Sequence, residues 1–411
     1  MTDTSRELGV GQVGYAFMGA AHSQAWRTAP SFFPLPLTPR LRALCGRDVG
    51  AAQAVADRFG WESVESDWRA LIARDDIDLV DICTPGNTHA EIAVAALRAG
   101  KHVLCEKPLA NTVEEAELMA DAAAEAATQG VYAMVGFTYR RTPALSFARR
   151  LVADGRLGTI RHVRAQYLQD WLTDPDVPLS WRLDKSLAGS GALGDIGAHV
   201  VDAAQYVTGS AITSVSGVLR TFVDSRPVAG DHGTLGGSGS ADAERGPVTV
   251  DDAAAFTASF ANGALGVFEA TRFATGRKNA MRLEISGSDG ALAFDFEEMN
   301  LLQFYDATEP AETAGFRRIV VTEPTHPYTG AWWPPGHGLG YEHGFTHQVV
   351  DLVDAIAAGE QPRPSFADGL SVQRVLAAVE TSAEDDSRRH TVPQDVRTAE
   401  GPHAGQEGDP T

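Results

Sequence analysis

Cysteine is scarce in this chain of 411 residues: Cys45, Cys83 and Cys105 are the whole supply, each inside or at the end of a short apolar run. Free thiols in such runs behave as small hydrophobes, so no disulfide framework is implied. Long apolar stretches are missing too, and no window approaches the roughly 20 apolar residues needed to cross a bilayer. Positive charge is in deficit: 34 Lys and Arg stand against 54 Asp and Glu, a net charge of −20. A field of that sign repels phosphate backbones and anionic lipid, which argues against nucleic acid and membrane surfaces as partners. No basic stretch followed by an apolar signal core opens the sequence, and a cytoplasmic location is expected. Nor does any period of roughly 20 to 50 residues repeat, so solenoids and propellers are not supported.

What remains is ordinary globular composition, 44% hydrophobic and 21% charged, in a chain long enough for two or three domains. Residues 1–135 alternate strand-like and helix-like segments, the pattern of a parallel sheet covered by helices. Strands are expected at Leu8–Val13, Leu41–Cys45, Ile77–Cys83, His102–Cys105 and Val131–Val135. The helices between them are Ala20–Ala29, stopped by Pro30; Val49–Phe59, closed by Gly60; one from Thr88 to Ala99; and an alanine-rich one to about Ala127. Thr88 with Glu91, and Thr112 with Glu115, have the spacing of capping boxes. Beyond 136, strand-like stretches at Ile160–Leu168, Ala253–Phe260, Ala264–Ala270, Arg282–Ser286 and Ala291–Phe294 follow one another mostly without helices, which predicts an antiparallel sheet in a second unit, 136–384. Asp224–Gly246, rich in Gly, Ser, Ala and Asp, reads as a long inserted loop, and 385–411 as a disordered tail.

The string G-x-G-x-x-G occurs at Gly9, Gly11, Gly14 and again at Gly189, Gly191, Gly194, but neither follows a buried strand and opens a helix. Gly14, Ala16 and Gly19 do, so this frame, with Phe17 and Met18 inside it, is the dinucleotide loop. At the end of the second strand, where an acidic residue usually takes the ribose hydroxyls of NAD, stand Gly46, Arg47 and Asp48; a guanidinium there suits a 2′-phosphate, so NADP is plausible and NAD is not excluded. The loop Thr84, Pro85, Asn87, His89 ends another strand and is expected, with Glu106 and Lys107, to line the cofactor.

Glu106, Lys107 and Pro108 follow the strand ending at Cys105, which puts an amine at the carboxyl end of a parallel strand, where it would face the nicotinamide. Asp195 and His199 lie four apart on a helix expected to run to about Val207, on one face, with Asp202 a turn further. An imidazole titrates closest to working pH and suits removal of a hydroxyl proton. As alternatives, Lys107 is a solvated turn residue and Asp195 a simple helix cap.

Together, Gly14, Ala16, Gly19 and His22, then Thr84, Pro85 and His89, then Glu106, Lys107 and Pro108, then Asp195 and His199 resemble the Gfo/Idh/MocA oxidoreductases over most of residues 8–380. The resemblance implies an α/β N-terminal Rossmann domain, an α+β C-terminal domain with a large open antiparallel sheet, and action on sugars or cyclitols. The runs Tyr139–Pro143, Tyr167–Trp171 and Leu179–Arg182, with those at 190–194, 260–264 and 269–272, are similar to the levoglucosan dehydrogenase branch, which oxidises a ring hydroxyl, typically at C3, to a ketone. Carried over, Lys107, Asp195 and His199 become the catalytic group. Gly46 departs from the acidic residue that branch tends to keep; the resemblance favours NAD, whereas Gly46 and Arg47 favour NADP.

A pyranose shows hydroxyls around an apolar face, so its site needs amides and guanidinium groups beside flat aromatics. Gln169, Trp171, Trp181 and Arg182 supply that mixture, with Tyr139 and Arg140 at the rim; alternatively, the tryptophans pack a seam between domains. The aromatic segment Trp332–His337, with Tyr341 and His343, is expected to fold over the sugar. His343 and His347 have the spacing of a zinc pair but lack a third ligand, so no metal is expected. The expectation is an NAD(P)-dependent dehydrogenase of a pyranoside, anhydrosugar or cyclitol. The rivals are redox-neutral glycoside cleavage through a transient 3-keto sugar, and a non-catalytic regulator of a sugar pathway. The open sheet predicts a homodimer or homotetramer.

Overall fold

The computed structural model describes residues 6–228 and 243–394. In the first unit β1 (Glu7–Val13), β2 (Thr38–Cys45), β3 (Val64–Glu65), β4 (Leu79–Ile82), β5 (His102–Cys105) and β6 (Ala133–Val135) form one sheet in the order β3-β2-β1-β4-β5-β6. All neighbours run parallel. Because β4 and β6 are buried at every residue, their sequences read as runs rather than alternations. The order reverses between β1 and β4, and the crevice at the carboxyl ends of strands beside such a point is where open parallel sheets bind ligands.

Helices α1 (Phe17–Phe32), α2 (Val49–Phe59), α3 (Trp68–Ile72), α4 (His89–Arg98) and α5 (Val113–Ala127) cover this sheet. Two expectations about them are corrected. Helix α1 starts directly after Ala16 instead of at Ala20 and runs through Pro30 to Phe32. A proline forfeits its own N–H bond and crowds the carbonyl four residues before it, and with Trp26 and Ala29 fully buried the packing of α1 outweighs that cost. The Thr88–Glu91 capping box does not form, because Thr88 Oγ1 bonds Pro85 O and Thr84 Oγ1, both at 2.7 Å, in a 3₁₀ turn ahead of α4. The box at Thr112 and Glu115 is complete.

Among the described residues the second unit contains α6 (Pro143–Ala153) and a sheet of nine strands. These are β7 (Ile160–Leu168), β8 (Ile212–Arg220), β11 (Ala253–Phe260), β12 (Leu265–Thr271), β13 (Ala280–Gly287), β14 (Gly290–Asp295), β15 (Leu301–Asp306), β16 (Arg317–Val320) and β17 (His390–Thr391), in the order β16-β15-β14-β13-β7-β12-β11-β8-β17. Pairing is antiparallel except between β7 and β12, which run parallel. Burial alternates along β11 and β14, so one face packs on helices and the other stays open. The loop expected at 224–246 is pinned at its base by β9 (Ser225–Pro227) pairing with β10 (Arg245–Pro247); residues 229–242 lie outside those described.

Helices α7 (Lys185–Ala188), α8 (Ala198–Thr208), α9 (Tyr341–Ala358) and α10 (Phe366–Glu384) complete the unit. Helix α9 returns to the first sheet, where Phe345, Val349 and Leu352 share one core with Leu8, Val10 and Trp26. The tail expected from 385 is corrected over its first ten residues: β17 joins β8 and Val392 is buried, while 395–411 lie outside the described residues. Among the described residues no helix is long and apolar enough to cross a membrane.

Candidate active site

Gly14 takes φ +103°, and a Cβ there would meet Cys83 O at 2.8 Å; one at Gly19 would meet Gly14 O at 2.2 Å. Neither close approach admits a side chain. Gly9 and Gly11 lie inside β1, and Gly189 to Gly194 belong to the second unit, so both strict matches to the string are decoys. Ala16 gives α1 no side-chain cap, and no acidic residue stands in its first turn. The first N–H groups of α1 are therefore open to an anion, the arrangement a dinucleotide pyrophosphate requires, and the residues present fit that cofactor. Gln12, which the sequence reading passed over, is fully buried and braces the loop from below: Nε2 donates to Gly14 O at 2.9 Å and to Gly19 O at 3.0 Å. A lone amide inside an apolar strand was its signal.

Phe17 is exposed at the loop and Met18 half-buried. Gly46 packs under the Tyr15 ring, Arg47 is exposed, and Asp48 accepts from Ala51 N at 3.0 Å as the cap of α2. Thr84 and Pro85 line the end of β4 half-buried, with Asn87 at the rim. His89, expected to contact cofactor, is 1% exposed, with ring nitrogens 2.8 Å from Thr84 O and 3.0 Å from Pro108 O. Its side chain ties the loop after β4 to the loop after β5 and cannot reach a ligand. Glu106 is buried likewise.

The registers Val13–Ile82 and Ile82–Cys105 align the ends of β1, β4 and β5, so Lys107 stands two strands, about 10 Å, from the glycine loop. Lys107 Nζ donates to Asp195 O at 2.7 Å and to Asp195 Oδ1 at 3.3 Å across the two units. The helix expected to carry Asp195 and His199 is corrected: residues Leu193–Gly197 form a π turn, and α8 proper starts at Ala198. Such turns recur at functional sites. Burial pushes the Asp195 carboxyl up, but Lys107, Arg272 and Arg182 outweigh it and hold it at about 2. His199 is held well below the ordinary imidazole range by burial and by the charge on Lys107, with Asp195 opposing. It is a neutral base walled by Tyr139 at 4.6 Å, Tyr167 at 5.8 Å and Phe137 at 6.2 Å between ring centres. Its Nδ1 is shut in without a partner among the described residues, which leaves Nε2 to meet a ligand.

Around this pair the expected sugar residues divide. Gln169 and Trp171 are joined, Trp171 Nε1 donating to Gln169 Oε1 at 3.1 Å, and the Arg272 guanidinium lies 5.6 Å from the Trp171 ring. Asn279, absent from the sequence reading, accepts from Gln169 Nε2 at 2.8 Å and Tyr167 OH at 2.7 Å, and so locks the amide's orientation. Tyr139 OH and Tyr167 OH are 2.5 Å apart. Arg182 lies over the Trp181 ring at 4.5 Å, and its charge reaches Asp195. Tyr341 stacks on Phe17 at 6.3 Å and meets Phe296 edge-on at 6.4 Å, which carries it into the cleft; burial raises its hydroxyl, with Tyr139, Glu106 and Asp195 adding to the effect.

Arg140 is a correction. Its Nε and Nη2 are spent on Asp202, at 2.9 and 2.5 Å, with Asp368 at 3.8 Å, so neither Arg140 nor Asp202 turns to the cleft. The Trp332 strap is another. Trp332 packs on Phe32 and Phe33 at the far end of α1 and donates to His347 Nε2 at 2.7 Å, so Tyr341 alone of that segment reaches the site. His347 Nδ1 lies 3.0 Å from Arg141 O, leaving neither ring nitrogen for a metal.

Known proteins bear on this geometry. Residues 8–137 match a family model described as an oxidoreductase family with an NAD-binding Rossmann fold, and 146–293 one described as the GFO/IDH/MocA C-terminal domain. Levoglucosan dehydrogenase of Pseudarthrobacter phenanthrenivorans is 44% identical over 385 residues, covering 93% of this chain and 97% of that one. The crystal structure of an oxidoreductase domain protein from Kribbella flavida is 68% identical, with a TM-score of 0.90 over 95% of this chain and all of that one. A levoglucosan dehydrogenase in complex with NADH and levoglucosan is 43% identical, with a TM-score of 0.88 over the same shares.

Proposed function

This chain belongs to the Gfo/Idh/MocA family, as an NAD-binding oxidoreductase acting on sugar or cyclitol hydroxyls, and from that premise we propose that it oxidises one ring hydroxyl, at C3, of a pyranoside, anhydrosugar or cyclitol to a ketone, or runs the reverse. The observation that carries this reading is the meeting of Lys107 with Asp195 beside a neutral His199.

The dinucleotide, held by the loop of Gly14, Ala16 and Gly19 and the open N–H groups of α1, supplies the hydride acceptor. An ammonium has three hydrogens, and Asp195 takes two of those on Lys107; the third goes to the reacting oxygen and polarises it. His199 Nε2 removes the hydroxyl proton, for which its depressed basicity keeps it free at neutral pH. Asp195, ionised throughout, fixes Lys107 and accepts from a neighbouring hydroxyl. Gln169, Trp171, Trp181, Arg182, Tyr139 and Tyr341 bound the sugar, offering an amide, a guanidinium and flat faces.

NAD is the preferred cofactor on relatedness, although the exposed Arg47 guanidinium offers charge for a 2′-phosphate. A cytoplasmic setting fits three free buried thiols and a soluble nicotinamide pool. Association into a dimer or tetramer is supported by the open sheet face, where Leu265 and Val267 are exposed beside a concavity of about 410 Å³ lined by Gln166, Glu269 and Arg282. The test is to titrate the protein with NAD and NADP, then follow reduced cofactor with levoglucosan, glucosides and inositols and locate the ketone by NMR. A ketone elsewhere than C3 removes the regiochemistry. Sugar cleavage with no net reduction favours the redox-neutral rival, and cofactor binding without turnover favours the regulator.

A further inference from the structure

The chemistry above leaves His22 unused. It lies in α1 beyond the glycine loop, 1% exposed, with Nδ1 2.9 and 3.0 Å from the two Asp81 carboxylate oxygens and Nε2 3.0 Å from Glu106 Oε1. Ionised carboxylates only accept, and a neutral imidazole has one N–H, so between two ionised carboxylates both contacts are satisfied only when both nitrogens donate. Trp26 Nε1 donates to the same Asp81 at 2.8 Å. The groups facing the ring are Asp81 and Cys83 from β4 and the residue after it, Cys105 and Glu106 from β5 and beyond, and Phe345 from α9 at 5.5 Å. Burial alone pulls the imidazole down, but the Asp81 carboxylate outweighs it and holds it well above its ordinary value.

Glu106 transmits the contact. Its other oxygen accepts the Lys107 N–H at 3.3 Å, and its slot is confined, since a Cβ at Gly136 would lie 2.7 Å from Oε1. We propose that His22 is a positioning residue: a buried imidazolium that clamps Asp81 to Glu106 and, through Glu106, fixes the main chain at Lys107, so that the glycine-loop helix and the reacting amine hold one geometry. The proposal rests on the role given to Lys107 above. His22 Nδ1, an Asp81 oxygen and Cys83 Sγ also lie close enough to hold a metal, but the imidazolium occupies that place with protons.

The full-length protein labelled with ¹⁵N-histidine tests the clamp without any substrate. One histidine should keep both ring nitrogens protonated well above the ordinary value of about 6.5, and that signal should vanish in His22→Gln. A neutral ring at pH 7 in the wild type, or zinc bound in stoichiometric amount after purification, overturns the clamp whatever Lys107 does. Kinetics on a sugar that the wild type oxidises then tests the consequence. His22→Gln should lower kcat roughly 10- to 100-fold with the sugar KM within about twofold, as expected of a displaced reacting group. Glu106→Gln, which keeps an acceptor for Lys107 N–H, should fall between. Wild-type kcat in His22→Gln overturns the positioning role; where that variant does not fold, Glu106→Gln and the ring signals decide. Lys107→Ala with intact turnover would instead sink the function assigned to Lys107, leaving the ring signals to judge the clamp.

Discussion

Tyr15 fills the space in which any side chain at residue 46 would begin: a Cβ built on Gly46 lies 2.2 Å from Tyr15 Cε1 and 2.3 Å from Cδ1. The missing carboxylate at the end of β2 is thus a packing consequence. Gly46→Asp should destabilise the fold by about 1–3 kcal/mol through overpacking, and weaken binding of NAD and NADP alike. Combined with Tyr15→Ala it should regain stability and shift preference toward NAD. Calorimetric titration with both dinucleotides and thermal melts check this; an unchanged melting temperature in the single variant refutes the steric account.

Lys107→Ala and Asp195→Asn should fold normally and lose turnover, with kcat falling by about 10²–10⁴-fold for Lys107→Ala. Single-turnover hydride transfer, compared with cofactor affinity, is the measurement. A loss confined to cofactor affinity would make Lys107 a binding group only.

The Arg140–Asp202 pair is buried, and burial pushes the Asp202 carboxyl up in spite of Arg140. Arg140→Ala should cost about 3–5 kcal/mol because it strands that carboxylate. Arg140→Met with Asp202→Leu should cost less than the single change. Chemical denaturation supplies the numbers; a raised sugar KM with unchanged stability would return Arg140 to the sugar site.

Asn279→Ala frees Gln169 Nε2 and Tyr167 OH at once. Losing both acceptor contacts should cost about 1–3 kcal/mol and raise the sugar KM while leaving the cofactor KM unmoved. Equal rises in both constants would contradict the assignment of that amide cluster to sugar.

Acid should destabilise the protein in two stages. His199 has a lowered folded value, so below its ordinary value of about 6.5 the unfolded chain takes the proton first and stability falls with pH. Asp195 contributes stability that is complete above its ordinary value of about 3.9 and lost as pH falls through about 2. His22 acts oppositely: its contribution is complete below about 6.5 and disappears as pH rises through its raised folded value. Denaturation midpoints against pH should show a maximum near neutrality, and His199→Asn should flatten the slope just below 6.5. A slope unchanged in that variant assigns the effect to other groups.

Much of the site was legible because its parts are local. The glycine frame needs a strand before it and a helix after it; Lys107 needs only a strand end; the Thr112–Glu115 box closes within one turn. Where one local rule failed, another contact had prevailed, as near as Pro85 for Thr88 and as far as the shared core for α1. Core packing carried α1 past Pro30, and residues Leu193–Gly197 wound as a π turn ahead of α8.

Amino-acid order alone therefore placed the parallel sheet and the Gly14–Gly19 turn, since periodicity, glycine and capping act over a few residues, and the family resemblance singled out Lys107, Asp195 and His199. Tertiary structure alone decided which polar groups meet. His22 reaches Asp81 across 59 positions and Glu106 across 84, Arg140 reaches Asp202 across 62, and Asn279 reaches Gln169 across 110. Buried charges and amides must find partners wherever the fold delivers them, and no local pattern records that address.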